Sequence, residues 1–512
     1  MPLSEVRSRS PWVVLAVLSA ALALVSLDNT IVNVALPRLQ EDLGATTGQL
    51  QWIVDAYSVV FAGSLLMAGA IGDRWGRRLA LMIGLGVFVL ASGAAIFAST
   101  ADSLMMCRAF MGLGGAFIMP STLSILVQEF PEPKARAQAI GIWAAVAGVG
   151  VAIGPVIGGY LLEHFSWHAV FWVNPPLAVI MLLLTAVLVP ESRDPARPRV
   201  DFLGGVLSGL GLVALVVTII EFPDSGISAV TIGSALAALI FLTSFVWWEG
   251  RAPRPLIPMA LFRERLFSMS IVIVAMVYFA LMGAMFFLPQ FLQLVQHLTP
   301  LQSGLAVVPG AAGLLIASIL SPRIAQRVGT RTTITAGLIL VTLGLLTFST
   351  LNAETSIAWV SGTFFIVGLG LGTTLPQATN GVLATVPHER AGMGSAVNDA
   401  MGELGGAFGV AVLGAALSIT YRANIENAIA QAGNVAQAIP VQALDAARES
   451  LAAAALAAQQ LPGGITEQYS VVAGSAFVVG MNWALFLGAG ITAFGAIAAF
   501  FLFPKRVEQV SE

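Results

Sequence analysis

The chain has 512 residues, of which 57% are hydrophobic and 10% charged, with a net charge of −3; soluble chains run at about 45–50% and about 25%. That balance excludes a soluble globular enzyme, leaves no nucleic acid among the expected partners, and calls for a polytopic helical protein surrounded by a lipid bilayer. A single cysteine, Cys107, excludes an internal disulfide.

An apolar helix needs roughly 20 residues to cross about 30 Å of hydrocarbon. Fourteen segments meet that length, at about 12–35, 49–71, 79–99, 103–126, 137–161, 169–190, 202–221, 229–248, 267–292, 302–321, 331–350, 356–380, 393–417 and 478–503. The first follows Arg7 and Arg9, as a secretory signal would, but its apolar run continues past Asp28 to Pro37 without a clear cleavage site, so it is read as a retained helix. Between the last two spans, an Ala-rich stretch from about 420 to 468 is too polar and interrupted to cross. It is broken near Pro440 and ended by Pro462, Gly463 and Gly464, and is predicted to form an extracellular helical hairpin.

With the N-terminus inside, every Lys and Arg except Arg38, Arg108, Arg422 and Arg448 falls on the cytoplasmic side. The positive-inside rule requires such an excess, so both termini are expected in the cytoplasm. The turn after the second span, GAIGDRWGRRLAL (Gly69 to Leu81), is echoed after the tenth by SPRIAQRVGTRTTI (Ser321 to Ile334), with Arg327, Gly329 and Arg331 in the places of Arg74, Gly76 and Arg78. The repeat divides the chain into an N-terminal six-helix bundle (12–190), two additional helices (202–248) and a C-terminal six-helix bundle (267–503). Repeated bundles of this kind place a substrate site at their interface near mid-membrane.

Four acids, Asp28, Asp55, Asp399 and Glu403, lie inside otherwise uncharged apolar stretches. A carboxyl at that depth costs several kcal/mol unless protonated, paired or facing water, so each marks an ion path or a ligand site. Asp28 lies about two-thirds of the way across its helix in a polar patch with Asn29, Thr30 and Asn33. Loss of water favours the uncharged form of a carboxyl, which suits Asp28 to take up a proton on one side and release it on the other. Asp399 and Glu403 share a face of the thirteenth span at i and i+4, where like charges repel unless a proton or a cation intervenes. Asp55 stands nearer the outer end of its span, where an interfacial role competes with a functional one.

The loop GAIGDRWGRRLAL resembles the signature of the major facilitator superfamily, and LMMCRAFMGLGGA (Leu104 to Ala116) is similar to its intramembrane-arginine motif. GVAIGPVIGGYL (Gly150 to Leu161) resembles the antiporter motif of its exporters, and LDNTIVNVALP (Leu27 to Pro37) the signature of its fourteen-span drug:proton antiporters. With QWIVDAYSVVFAG (Gln51 to Gly63) added, the chain resembles the QacA-type pumps for quaternary ammonium compounds and cationic dyes. The resemblance implies the major facilitator fold, all-α with 14 spans, and a secondary active transporter in the bacterial inner membrane. It also implies export of lipophilic cations against protons, a proton gradient in place of any cofactor, and a monomer. Scarce lysine beside arginine and abundant alanine likewise suggest a GC-rich bacterial source. Gln326 departs from the pattern, standing where the second loop would carry an aspartate, so only the first loop is expected to work as a charged latch.

In that latch Gly69, Gly72 and Gly76 allow close approach and a sharp bend, while Asp73 is placed to pair with Arg74, Arg77 or Arg78 or to cap a neighbouring helix. The alternative is that the arginines only set topology. Gly150, Gly154 and Gly158 sit four apart on one face beside Gly159, with Pro155 bending the helix. Plain packing explains that spacing as well as the gate that the resemblance implies. Arg108 cannot be deprotonated and needs a partner; the resemblance implies proton handling with Asp28 as the candidate, and snorkelling to the interface is the alternative. Tyr57, Phe61 and Trp172 are the expected aromatic faces for a cationic substrate, beside Asp55, Asp399 and Glu403.

Other chemistry is argued against. Lys134 and Lys505 are the only lysines and neither lies in a P-loop, so no ATP site is expected. His164 and His168 have a metal-like spacing but flank Trp167 at an outer edge with no further ligand, so no metal is expected. A nutrient importer would share the bundles but leave the glycines of the fifth span without a reason. Export of a neutral or anionic metabolite, antibiotic, lipid or siderophore remains open, since the acids then serve protons alone.

Overall fold

The computed structural model describes residues 10–43, 45, 47–194, 200–253, 255–432 and 439–504. Arg7, Arg9, Arg197, Arg199, Arg254, Lys505 and Arg506 lie outside the described residues, as does the side chain of Asn33. The elements in order are α1 (Pro11–Leu43), α2 (Thr47–Trp75), α3 (Arg77–Ala95), α4 (Ala101–Glu129), α5 (Pro133–His164), α6 (Ala169–Trp172), α7 (Asn174–Leu188), α8 (Phe202–Ser225) and α9 (Ala229–Glu249). They continue with α10 (Arg265–Gln290), α11 (Pro300–Val328), α12 (Thr330–Phe348), α13 (Ile357–Ala384), α14 (Ala391–Ala432), α15 (Val441–Glu449), α16 (Leu451–Ala458) and α17 (Gly463–Leu502). Among the described residues, fourteen helical stretches are long and apolar enough to span a membrane. The sixth is divided into α6 and α7 at Val173, because Pro175 and Pro176 supply no N–H and force a new helix start.

One apolar core gathers residues of α1–α7, and a second gathers α10–α17. Between them, α8 lies across α2, with Gly63 and Gly209 in mutual backbone contact, while α9 packs on α8 and leaves Leu236, Leu239, Ile240 and Trp247 exposed. The bundles meet through reciprocal pairs: α2 lies on α14, where a Cβ at Gly69 would strike the carbonyl of Gly392, and α5 lies on α11, where a Cβ at Gly141 would strike that of Ser318. The second helix of each bundle thus faces the fifth helix of the other, as a pseudo-twofold repeat requires.

The stretch expected as a separate outer hairpin is organised differently. α14 runs on for 42 residues to Ala432 and α17 begins at Gly463, so the ends of 420–468 are continuations of long helices with α15 and α16 between them. Ala-rich sequence without Gly or Pro between Gly414 and Gly433 explains why α14 does not stop near 417. Ile425, Ala443, Ala447, Leu451, Ala454 and Tyr469 extend the second core into this cap, and the Tyr469 hydroxyl donates to the Ala443 carbonyl at 2.6 Å.

At the end that the basic residues assign to the cytoplasm, Asp73 ties the two bundles together. Its Oδ1 accepts from Arg77 Nε at 2.9 Å, Arg77 Nη2 at 2.7 Å and the Gly392 N–H at 3.0 Å, and its Oδ2 accepts from the Met393 N–H at 3.1 Å. Gly392 and Met393 open α14, so the carboxylate meets orphan amides and the positive end of a helix dipole. Arg77 also donates to the Glu389 carbonyl at 2.9 Å. Arg78 turns away to the Val189 carbonyl, and Glu191 accepts from the Arg78 and Leu79 amides at 3.1 and 3.2 Å, supplying the cap of α3 that Gly76 has no side chain to make. The sequence repeat is also a backbone repeat, for Gly76 at φ 133° and Gly329 at φ 89° make matching turns. Gln326 is exposed, so the charged cross-bundle tie belongs to the first turn.

Asp73→Asn keeps the volume but surrenders the charge-assisted bonds, each worth about 1.5–3 kcal/mol. Spin labels at Leu79 and Val328, exposed on opposite bundles, are expected to show a longer and broader distance distribution in the variant. An unchanged distribution would mean that the carboxylate does not hold the bundles.

The membrane-embedded charge sites

Arg108 lies about two turns into α4 yet is fully buried, as is Asp28 on α1, and its Nη1 donates to Asp28 Oδ2 at 2.7 Å. Snorkelling is thereby set aside. Arg108 Nε donates to the Ile53 carbonyl at 3.1 Å, and the guanidinium lies over the Tyr57 ring at 4.7 Å. The other carboxylate oxygen of Asp28 accepts from Asn174 Nδ2 on α7 at 2.6 Å. Three helices thus converge on one acid. Breaking such a buried pair by removing one partner costs about 3–5 kcal/mol, since the other charge is left without compensation.

Small residues create the room. A Cβ at Gly112 would run into the backbone of Tyr57, and one at Gly115 into its hydroxyl, so α4 presses against α2 at the level of the ion pair. Behind α1, Gly150, Gly154 and Gly158 of α5 lie on the carbonyls of Ala23, Leu27 and Ile31, a matched four-residue register that sets the helix bearing Asp28 directly on α5.

The second acidic centre is on α14. Asp399 is 5% exposed; its Oδ1 accepts from Asn398 Nδ2 at 3.1 Å, and its Oδ2 has no hydrogen-bond partner among the described residues. Glu403, one turn on, is half-buried. Neither has a basic partner among the described residues. Tyr278 of α10 packs on Gly402 between them and lies within electrostatic reach of both carboxyls. Tyr57 is the counterpart in the first bundle, within reach of Asp28, Arg108 and Glu403 together.

The other expected site residues are dispersed. Tyr57 and Phe61 are each 1% exposed and stack at 5.8 Å, so Tyr57 gives its face to the protein's own Arg108. Trp172 is 47% exposed and leans on Phe165, as an edge residue between apolar and wet surroundings does. Asp55 is half-buried two residues before Tyr57, which turns it to the opposite side of α2. Pro155 is half-buried and Gly159 buried, each one residue past a glycine of the α5 row, and Arg74 is half-buried at the end of α2. His164 contacts the Tyr160 carbonyl, whereas His168 stacks on Trp167. Among the described residues no three His, Cys, Asp or Glu side chains converge as a metal ion would need.

Sequence reasoning passed over three contributors. Asn174 is a lone amide in an apolar span, between Val173 and two prolines, which was the available signal. Tyr278 had none, since an aromatic in a membrane helix is unremarked. Glu249 closes α9, where an acid at a helix end gives no signal, yet it is 3% exposed and accepts from the Ile257 amide at 3.0 Å, anchoring the connector into the second bundle.

Comparison with known proteins agrees with this architecture. A profile of the Major Facilitator Superfamily matches residues 18–410. The chain is 36% identical over 470 residues to the multidrug efflux pump LfrA of Mycolicibacterium smegmatis, covering 92% of each. It is 32% identical to the tetracenomycin C resistance and export protein of Streptomyces glaucescens, over 99% of this chain and 94% of that protein. It is 33% identical to the methyl viologen resistance protein SmvA of Salmonella typhimurium, over 81% and 84%. In fold it is similar to the human organic anion transporter MFSD10, with a TM-score of 0.61 at 15% identity over 96% and 99% of the two chains. With fourteen apolar spans, two bundles and relatives that export drugs from bacteria, the chain belongs to the Major Facilitator Superfamily as a multi-pass secondary transporter of the drug-efflux kind in a bacterial inner membrane, and is no enzyme.

Proposed function

We propose that this chain exports lipophilic organic cations in exchange for protons, with Asp28 carrying the proton and Asp399 with Glu403 receiving the substrate's charge. The observation that carries the reading is the contrast between two buried acidic centres. Asp28 is held by a permanent cation from α4 and by an amide from α7, whereas Asp399 and Glu403 sit one turn apart with no basic residue beside them among those described. A pair of carboxyls in a medium of low dielectric is relieved either by protons or by a cation, and the two compete. Tyr278 beside them offers an aromatic wall worth about 0.5–2 kcal/mol to a flat cation. Of the relatives, SmvA is named for resistance to methyl viologen, a dication, which favours this reading. The tetracenomycin C exporter favours the alternative of a neutral or anionic product, in which the acids would serve protons alone.

Two experiments test the proposal. Asp28→Asn preserves shape and abolishes titration, so ethidium efflux driven by an imposed pH gradient should fall to background while the protein still inserts; normal efflux would remove Asp28 from coupling. In the wild type, membrane potential should add up to about 2.3 kcal/mol per charge moved per 100 mV. Equilibrium binding of ethidium and methyl viologen should weaken as pH falls, because protons displace the cations. Asp399→Asn or Glu403→Gln should weaken the divalent dye tenfold or more and the monovalent dye less, with Asp55→Asn as the comparison. Equal binding of both dyes by all four proteins at every pH would sink the cation site and favour the neutral or anionic product.

A further inference from the structure

We infer that Asn174 is a positioning residue that reads the protonation state of Asp28 by rotating its side-chain amide, and passes that state to the break between α6 and α7. The inference rests on Asp28 being the coupling acid. Asn174 is fully buried, and the structure shows it in one of two complementary states: Nδ2 donates to Asp28 Oδ1 at 2.6 Å, while its own Oδ1 has no partner among the described residues. A side-chain amide carries opposite hydrogen-bond roles at its two ends. The carboxylate only accepts and so selects the NH₂ end; once a proton arrives, the carboxylic acid O–H becomes a donor and selects the C=O end. The proton comes from water on one side and leaves to the other, and the amide neither gains nor loses one.

The surroundings make this amide the responsive element. Of the helices packed against α1, α4 brings Arg108 and α2 brings Tyr57 within electrostatic reach of Asp28. α5 meets this stretch with Gly150, Gly154 and Gly158 and keeps Lys134, Arg136, Tyr160, Glu163 and His164 near its ends, while α6 and α7 contain no titratable side chain. Arg108 holds its charge in both states and retains the Ile53 carbonyl and the Tyr57 face. Of the two side chains that bond Asp28 among the described residues, only the amide can exchange one hydrogen-bond role for the other. It is the first residue of α7, directly before Pro175 and Pro176, so its reorientation acts on a helix start that lacks the ladder bonds of a continuous span.

The test is ethidium efflux by purified protein in liposomes under an imposed pH gradient, recorded across pH for wild type, Asn174→Leu, Asn174→Asp and Asp28→Asn. Asn174→Leu removes both roles in nearly the same volume; its maximal rate should fall tenfold or more with the ethidium KM within twofold. The pH of half-maximal efflux should be displaced by about one to two units, as expected for loss of a charge-assisted bond. Asn174→Asp, which offers acceptors only when ionised, should lose the maximal rate likewise and serves if the leucine variant does not fold. Recovery of the wild-type maximum at a displaced pH would mean that Asn174 merely tunes the acid and would overturn the sensor. A fall equal at every pH, with the midpoint in place, would reduce it to packing and overturn the inference equally. If Asp28→Asn keeps gradient-driven efflux, the coupling assignment itself fails; if it loses efflux while Asn174→Leu matches wild type, the sensor alone fails.

Discussion

A guanidinium cannot surrender its charge, and Arg108 keeps its own in surroundings where bulk water is excluded. Most of the first bundle is arranged around that constraint. Asp28 must approach within hydrogen-bond distance, a carbonyl of α2 must turn inward, and an aromatic face must cover the cation. Those approaches need helices closer than ordinary side chains permit, which explains Gly112 and Gly115 on α4 and the glycine register of α5 behind α1. The ion pair and the glycine motifs are therefore one structural solution, although they lie in separate parts of the chain.

Among the described residues, no such permanent cation lies beside the acids of the second bundle. Asp399 and Glu403 lie on α14, the same helix whose first amides are capped by Asp73 of the first bundle. From Gly392 to Asp399 is about 10 Å along an unbroken helix. The acidic centre and the cross-bundle tie are thus carried on one rigid rod. At its far end that rod continues into the cap of α15 and α16, where Arg448 bridges Glu426 and Asp445 at 2.8 and 2.9 Å. Those exposed pairs add little. The apolar contacts of Ile425, Ala447 and Leu451 hold the cap to the bundle.

Tyr57 touches both electrostatic systems, lying beneath Arg108 and within reach of Glu403. As an expected substrate face it is enclosed, with Phe61 stacked on it and its hydroxyl buried. An aromatic two residues from an acid in sequence suggests a binding patch, but the helical period sends the two side chains to opposite sides of α2. Trp172 differs in being exposed, at the end of a short helix and against Phe165.

Span number, the basic bias that orients the chain and the acids at depth were legible in the sequence, because each follows from the price of charge or unpaired backbone in hydrocarbon, a local property of composition. The turn repeat was legible too, since Gly76 and Gly329 are needed where φ is positive. Which arginine pairs with Asp73, that its carboxylate caps a helix more than three hundred residues later, and that Asn174 joins Arg108 on Asp28 were decided by tertiary structure alone. Hydropathy and spacing describe one helix at a time. The partner of a buried charge is set by the packing of helices distant in sequence, and an amide such as Asn174 gains its meaning only from the carboxylate that packing brings to it.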